Sequence, residues 1–89
     1  MAVCPIAPAH QEFAENVHRE LTRRDFYVDL DSSRESLKKK VRKAQVAQYN
    51  YILVIGDDEV EKQQVNVRLR DGTIKGTMPL DLLVHELQG

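Results

Sequence analysis

The chain has 89 residues, 42% hydrophobic and 30% charged, a composition that fits one small globular domain and excludes a disordered tail or a two-domain protein. A chain of this length buries about 60 to 65% of the surface its unfolded form exposes, which leaves little room for a deep catalytic cavity beside the core. Thirteen basic and 14 acidic side chains give a net charge of −1, a balance that excludes a generic polycationic nucleic-acid coat or a basic membrane-surface peptide.

Val3 to Pro8, with two prolines, reads as a short strand running into a loop. From His10 to about Arg23, Phe13, Ala14, Val17 and Leu21 make one apolar stripe of an amphipathic helix. Phe26, Val28 and Leu30 alternate with Tyr27, Asp29 and Asp31, the period of a half-buried strand. After the connection Asp31 to Arg34, Ser32 or Ser33 is placed to cap a second helix whose buried stripe is Leu37, Val41 and Ala44. The run Tyr51 to Gly56 is continuously apolar and short, as expected of a central strand covered on both faces. The acidic stretch Asp57 to Glu61 reads as a loop with one helical turn. Val65, Val67 and Leu69 then alternate with Asn66, Arg68 and Arg70 in a strand with one polar face. Asp71-Gly72 is a turn signal, followed by a weakly patterned strand from Thr73 to Met78. Pro79 suits the first position of a final helix, buried through Leu80, Leu83, Val84 and Leu87. The order predicts an α/β, three-layer domain over residues 1–89, a mixed five-stranded sheet flanked by three helices, with parallel pairs formed first through crossovers.

No apolar run is long enough to span a membrane and no signal-peptide pattern opens the chain, so no membrane partner is expected. The strand-like start directly after Met1 suggests a domain taken from a longer protein. Cys4 is the single cysteine, which excludes an internal disulfide and a multi-cysteine zinc site and favours a reducing compartment. Beside Pro5 and without a paired base, it reads as a small buried residue rather than a nucleophile. His10, His18 and His85 lack metal-ligand spacing and read as surface residues. Four scattered glycines make no phosphate-binding loop. Tyr27, Tyr49 and Tyr51 could stack on unpaired bases, although packing is the commoner fate of such residues.

Charge distribution is more informative than its sum. In residues 34 to 43, Arg34, Lys38, Lys39, Lys40, Arg42 and Lys43 are answered only by Glu35. On one helix Arg34, Lys38 and Arg42 would stack at i, i+4 and i+8, a ridge suited to phosphates and equally to plain solvation. Strand alternation puts Asn66, Arg68 and Arg70 on one exposed face, with the arginines about 7 Å apart. Guanidinium donors, with Glu59 as acceptor, can read base edges; ordinary surface ion pairs are the competing use of such residues.

Five segments in order carry a resemblance: Val3-Cys4-Pro5-Ile6-Ala7-Pro8 with Phe13-Ala14; Asp29-Leu30-Asp31; Lys40-Val41-Arg42-Lys43-Ala44-Gln45; Tyr51 to Gly56; and Val65 to Gly72. Together they are similar to the C-terminal anticodon-binding domain of class II aminoacyl-tRNA synthetases. The fold is shared by the glycyl, histidyl, prolyl and threonyl enzymes, and the second-helix and later-strand runs most resemble the threonyl type. The resemblance implies binding to the anticodon loop of threonine tRNA, chiefly reading a G and a U as second and third anticodon bases. It carries Glu59 and Arg68 onto base-contacting positions and Arg42 onto the family arginine of the basic helix; Arg34 falls near a position often held by asparagine. Asp58 stands where lysine is common, and Asn50 where a proline often precedes the tyrosine.

The tRNA-binding set expected on this basis is Glu59, Arg68, Arg70, Arg34, Lys38 and Arg42, with no catalytic or metal residues in this domain. ATP and zinc are expected on the catalytic domain of the parent ligase, itself expected to be a homodimer in the cytoplasm, with a mitochondrial form as the alternative. The rival readings are an accessory or protein-interaction module that keeps the fold, the corresponding domain of a glycyl, histidyl or prolyl enzyme, and a small redox or nucleotide-binding enzyme.

Overall fold

The first strand, β1 (Ala2–Pro5), is buried at all four positions, because it lies inside a sheet with helices packed on both sides. In the computed structural model, which describes residues 1–88, the chain continues through a 3₁₀ turn (Pro8–His10), α1 (Gln11–Arg23), β2 (Asp29–Leu30), α2 (Leu37–Val46) and β3 (Tyr51–Ile55). It ends with α3 (Asp57–Lys62), β4 (Gln64–Leu69), β5 (Ile74–Pro79) and α4 (Leu80–Gln88). The five-stranded sheet has the order β2-β1-β3-β4-β5. β1 pairs parallel with β2 and β3, whereas β3-β4 and β4-β5 are antiparallel. The expected mixed sheet and three layers are both present.

Strand alternation divides the core. Val3, Leu53, Ile55, Val65 and Val67 face α1 and α4, where Ala14, Val17, Leu21, Leu83 and Val84 meet them. On the other face Ala2, Cys4, Ile52 and Val54 pack under Ala44 of α2, with Leu37, Val41 and Tyr49 at the margin. Each fully buried Leu, Ile or Val contributes roughly 1.5 to 3 kcal/mol. No residue of β4 or β5 belongs to the α2-side cluster, so the reverse side of those strands has no helix cover there.

Several boundaries differ from the sequence pattern. The Phe26–Leu30 alternation gives only a two-residue strand, because Phe26 bonds back to the end of α1 (N–H to Leu21 O, 3.1 Å) and pairing begins only where Asp29 donates to Met1 O and Asp31 to Val3 O. The cap of α2 is Ser36, whose Oγ accepts from Lys39 N. Ser33 is engaged elsewhere, its N–H and Oγ both donating to Asp31 Oδ1 at 3.0 and 2.6 Å. Residues 57–62 form a complete short helix instead of a loop with one turn, so there are four α-helices rather than three. Pro79 ends β5 opposite Gln64, directly before α4, instead of opening the helix.

Candidate nucleic-acid interface

Because α2 begins at Leu37, the expected ridge of Arg34, Lys38 and Arg42 is split. Lys38 and Arg42 are exposed on the helix; Arg34 lies before the cap, in the loop after β2. Lys40 leaves the ridge altogether, being 4% exposed with Nζ donating to Pro5 O at 2.9 Å. Lys43 pairs with Glu35 at 2.7 Å.

Arg68 comes to α2 from the sheet. It pairs with Ile52 across the β3-β4 ladder, and Asn66 pairs with Val54. Both side chains therefore emerge on the side opposite Val65 and Val67. Arg68 Nε donates to Asn66 Oδ1 at 3.2 Å, and Asn66 Nδ2 donates to Thr77 Oγ1 at 3.2 Å, so a polar chain crosses the uncovered half of the sheet. Between this surface and α2 runs a groove of about 340 Å³ lined by Leu37, Lys38, Val41, Arg42, Gln45 and Arg68. Among the described residues, Lys38, Arg42 and Arg68 make no ion pair. Gln45 belongs to the Lys40–Gln45 segment that carries the resemblance but is not in the expected binding set, although its i+3 spacing from Arg42 places it on the same helix face.

Arg70 does not share the strand face with Arg68. β4 ends at Leu69, and Arg70 is exposed in the turn that follows. The turn closes through Gly72 N–H to Leu69 O (3.0 Å) with Gly72 at φ 97°, a left-handed conformation that glycine adopts freely.

Glu59 stands at the opposite end of β3 from Ile52, the ladder partner of Arg68. Its Oε1 accepts from Gly56 N at 2.8 Å, the reciprocal half of a helix capping box, and Asp57, Asp58 and Glu59 put three carboxylates in the first turn of α3. Four residues separate Ile52 from Gly56, roughly 13 Å along a strand. The Arg68-Asn66 bond brings the guanidinium back toward the level of Val54, roughly 7 Å from Gly56.

A second hollow, of about 460 Å³, lies at the carboxyl ends of the parallel strands and is lined in part by Ile6, Pro8, Gln11, Ser33, Arg34 and Lys40. The strand order reverses here, with β1 leading to β2 on one side and β2 to β3 on the other, which is the usual place for a ligand crevice in an open α/β sheet. Thus the structure brings together Lys38, Arg42 and Arg68, places Arg34 and Glu59 near the carboxyl edge, and leaves Arg70 apart.

The remaining candidates have structural employment. Cys4 is fully buried, and burial, reinforced by Asp31 against the opposing Lys40 and Arg68, pushes its thiol up to about 11. Tyr49 donates its hydroxyl to Asp29 Oδ2, a bond that raises the phenol to about 12. Tyr27 is 77% exposed, and its carbonyl accepts from the Met1 amino group at 2.7 Å. His18 Nε2 bonds Val28 O at 2.9 Å. His10, expected on the surface, is 6% exposed and bonds Asp57. Among the described residues, no group of three or more His, Cys, Asp or Glu is placed to hold a metal, and no helix is long and apolar enough to cross a membrane.

The fold is a layered α/β domain whose sheet is half bare beside a basic helix. The sequence matches the Anticodon binding domain family over residues 1–89, and the chain belongs to that family. Its relatives narrow the class further. It is 41% identical over 86 residues to the probable cytoplasmic threonine–tRNA ligase 1 of Dictyostelium discoideum, covering 97% of this chain and 12% of that protein. It is 43% identical over 86 residues to the mitochondrial threonine–tRNA ligase 1 of Arabidopsis thaliana, again 97% of this chain and 12% of the relative. The RNA binding domain of threonyl-tRNA synthetase from Cryptosporidium parvum Iowa II superposes with a TM-score of 0.94 at 40% identity, covering 98% of this chain and 22% of that one.

Proposed function

We propose that this chain recognises the anticodon loop of threonine tRNA as the anticodon-binding unit of a threonine–tRNA ligase. The observation that carries the reading is the groove between α2 and β4, where Lys38, Arg42 and Arg68 converge without acidic partners. Unpaired anticodon bases present their Watson–Crick edges, so a shallow surface with a few fixed groups can discriminate them without a deep pocket. Lys38 and Arg42 hold the sugar-phosphate backbone as positive charges that are indifferent to sequence. Arg68, aligned by Asn66, donates to base acceptors. Glu59 keeps acceptor capacity beyond its bond to Gly56 and receives the adjacent N1–H and N2–H donors of guanine at the second anticodon base; adenine presents an acceptor there instead. Arg34 closes the loop side of the crevice, and Arg70 contributes an outlying charge.

The reaction itself belongs to the parent enzyme, of which relatives at this identity are some eight times longer. In this reading ATP and zinc serve the parent's separate catalytic domain, the parent is a cytoplasmic homodimer, and the present domain supplies tRNA selection. The test is titration of the 89-residue chain with anticodon stem-loops. Threonine stem-loop is expected to bind about tenfold or more tightly than one with adenine at the second anticodon position. Equal affinity for the two would refute the reading.

A further inference from the structure

His10 is a buried side chain that the recognition surface does not itself use. Ala7 N–H donates to its Nδ1 at 3.1 Å, so Nδ1 must be the unprotonated ring nitrogen. Nε2 therefore carries the proton and donates to Asp57 Oδ1 at 2.6 Å. The backbone closes in the reverse direction, His10 N–H to Ala7 O at 2.9 Å. His10 thus plays the reciprocal capping role usually taken by Glu or Gln, and its second nitrogen is free to reach another element.

That element is α3. Asp57 and Glu59 occupy its first turn, and Glu59 makes the matching cap on Gly56. Two half capping boxes, in each of which the side chain of the third helical residue accepts from the N-cap amide, therefore sit side by side at the ends of β1 and β3. Three contacts lock them together: Ile6 N–H to Ile55 O at 2.9 Å, the His10–Asp57 bond, and Ile6 pressed so closely on Gly56 that an added Cβ would stand 2.7 Å from its Cδ1. The Asp57 side chain is 95% exposed against 8% for His10, so only its His10 partner fixes it to the rest of the fold. Reading a base edge requires the acceptor to be held within about 0.5 Å; Val60 packs the middle of the six-residue helix on the core, which leaves its first turn to the His10–Asp57 and Glu59–Gly56 bonds.

We propose that His10 is a positioning residue for Glu59, holding the first turn of α3 in register through Asp57 and thereby setting discrimination at the second anticodon base. The proposal rests on the anticodon reading above. It is tested with the 89-residue chain, a threonine anticodon stem-loop, and the same stem-loop with inosine for the second-position guanine, which lacks only the exocyclic amine. His10→Ala is expected to reduce the guanine-over-inosine preference about fivefold, with little added effect in a Glu59→Gln background. His10→Gln, which can accept from Ala7 and donate to Asp57, is expected to restore the preference. Asp57→Ala, altering an exposed side chain, reproduces the loss if His10→Ala fails to fold. Hydrogen exchange of the Gly56 amide, measured without RNA, is expected to accelerate in His10→Ala and Asp57→Ala.

If the unsubstituted chain shows no preference for guanine over adenine, the anticodon reading falls and the role of His10 with it; a preference over adenine but none over inosine overturns the role of His10 alone. If it does discriminate, the proposal alone is overturned by an undiminished preference in Asp57→Ala, by equal weakening of both RNAs, or by an unchanged Gly56 exchange rate.

Discussion

The β1–β3 half of the sheet carries helices on both faces, whereas β4 and β5 are packed on their Val65 and Val67 side and bare on their Asn66 and Arg68 side. The contrast is written in residue order. β3 is apolar at every position because Ile52 and Val54 meet one helix layer while Leu53 and Ile55 meet the other. β4 alternates because only one of its faces has a core to fill. The first half holds the fold together, and the second leaves its polar groups free for an outside partner. Substitutions in the two halves should therefore separate stability from recognition.

The largest effect is expected in the doubly covered half. Leu53 is fully buried, and Leu53→Ala should cost about 2 to 5 kcal/mol through lost burial and a residual cavity. Against a total stability of about 5 to 10 kcal/mol for a domain of this size, much of the protein would unfold under mild denaturant. Urea denaturation and stem-loop titration in one buffer check this. The contrast breaks if the variant keeps normal stability yet loses affinity for RNA.

Arg68→Ala is the reciprocal case. It should cost about 1 to 3 kcal/mol of stem-loop binding and relax selectivity at one base, while stability moves by less than about 0.5 kcal/mol. A variant that binds the cognate loop normally would remove Arg68 from the interface. Lys38→Ala should do less, weakening all sequences similarly by about 1 kcal/mol and reducing the salt dependence by about one charge. A base-selective Lys38 effect, read from a panel of stem-loops at several salt concentrations, would place it on a base instead of the backbone.

The layers and the bare strand face were legible because periodicity reports burial directly: Val17 and Leu21, or Val65 and Val67, can be assigned to a core by spacing alone. What spacing could not show was competition for polar groups. Ser32 and Ser33 are the caps expected from the sequence, yet Asp31 captures both donors of Ser33 and the cap falls to Ser36. The change of cap moves the helix start past Arg34 and divides the basic run between two hollows. The Arg68-Arg70 pair was misplaced for a related reason. The ladder shifts register between Val67 and Arg68 and the strand ends at Leu69, so strict alternation stops before Arg70. Three helices are followed by left-handed Asp25, Gln48 and Gln63 rather than glycine, so the commonest stop signal was missing. For α3 the signal was present: Gly56 followed three residues later by Glu59 is a readable cap. The His10–Asp57 contact spans 47 residues, and no local pattern announces it.

The smallest expected effect lies in the loop after β2, at the edge of the doubly covered half farthest from β4 and β5. Partial burial raises the Asp31 carboxyl, but the Ser33 hydroxyl and amide, with Lys43 and Lys40, outweigh it and hold the group below the usual carboxylate range. A carboxylate depressed in the native state stabilises the fold above its unfolded pKa, about 3.9, and that contribution disappears as pH falls through the lower native value. Asp31→Asn should therefore be less stable than the parent at pH 7 by on the order of 0.5 kcal/mol, since solvent screens a group so near the surface. The gap should close at pH values below both pKa values, where Asp31 is itself neutral. Denaturation curves at pH 7 and in acid measure it directly. A gap that persists in acid would mean that the side chain acts through shape at the Ser33 turn rather than through charge.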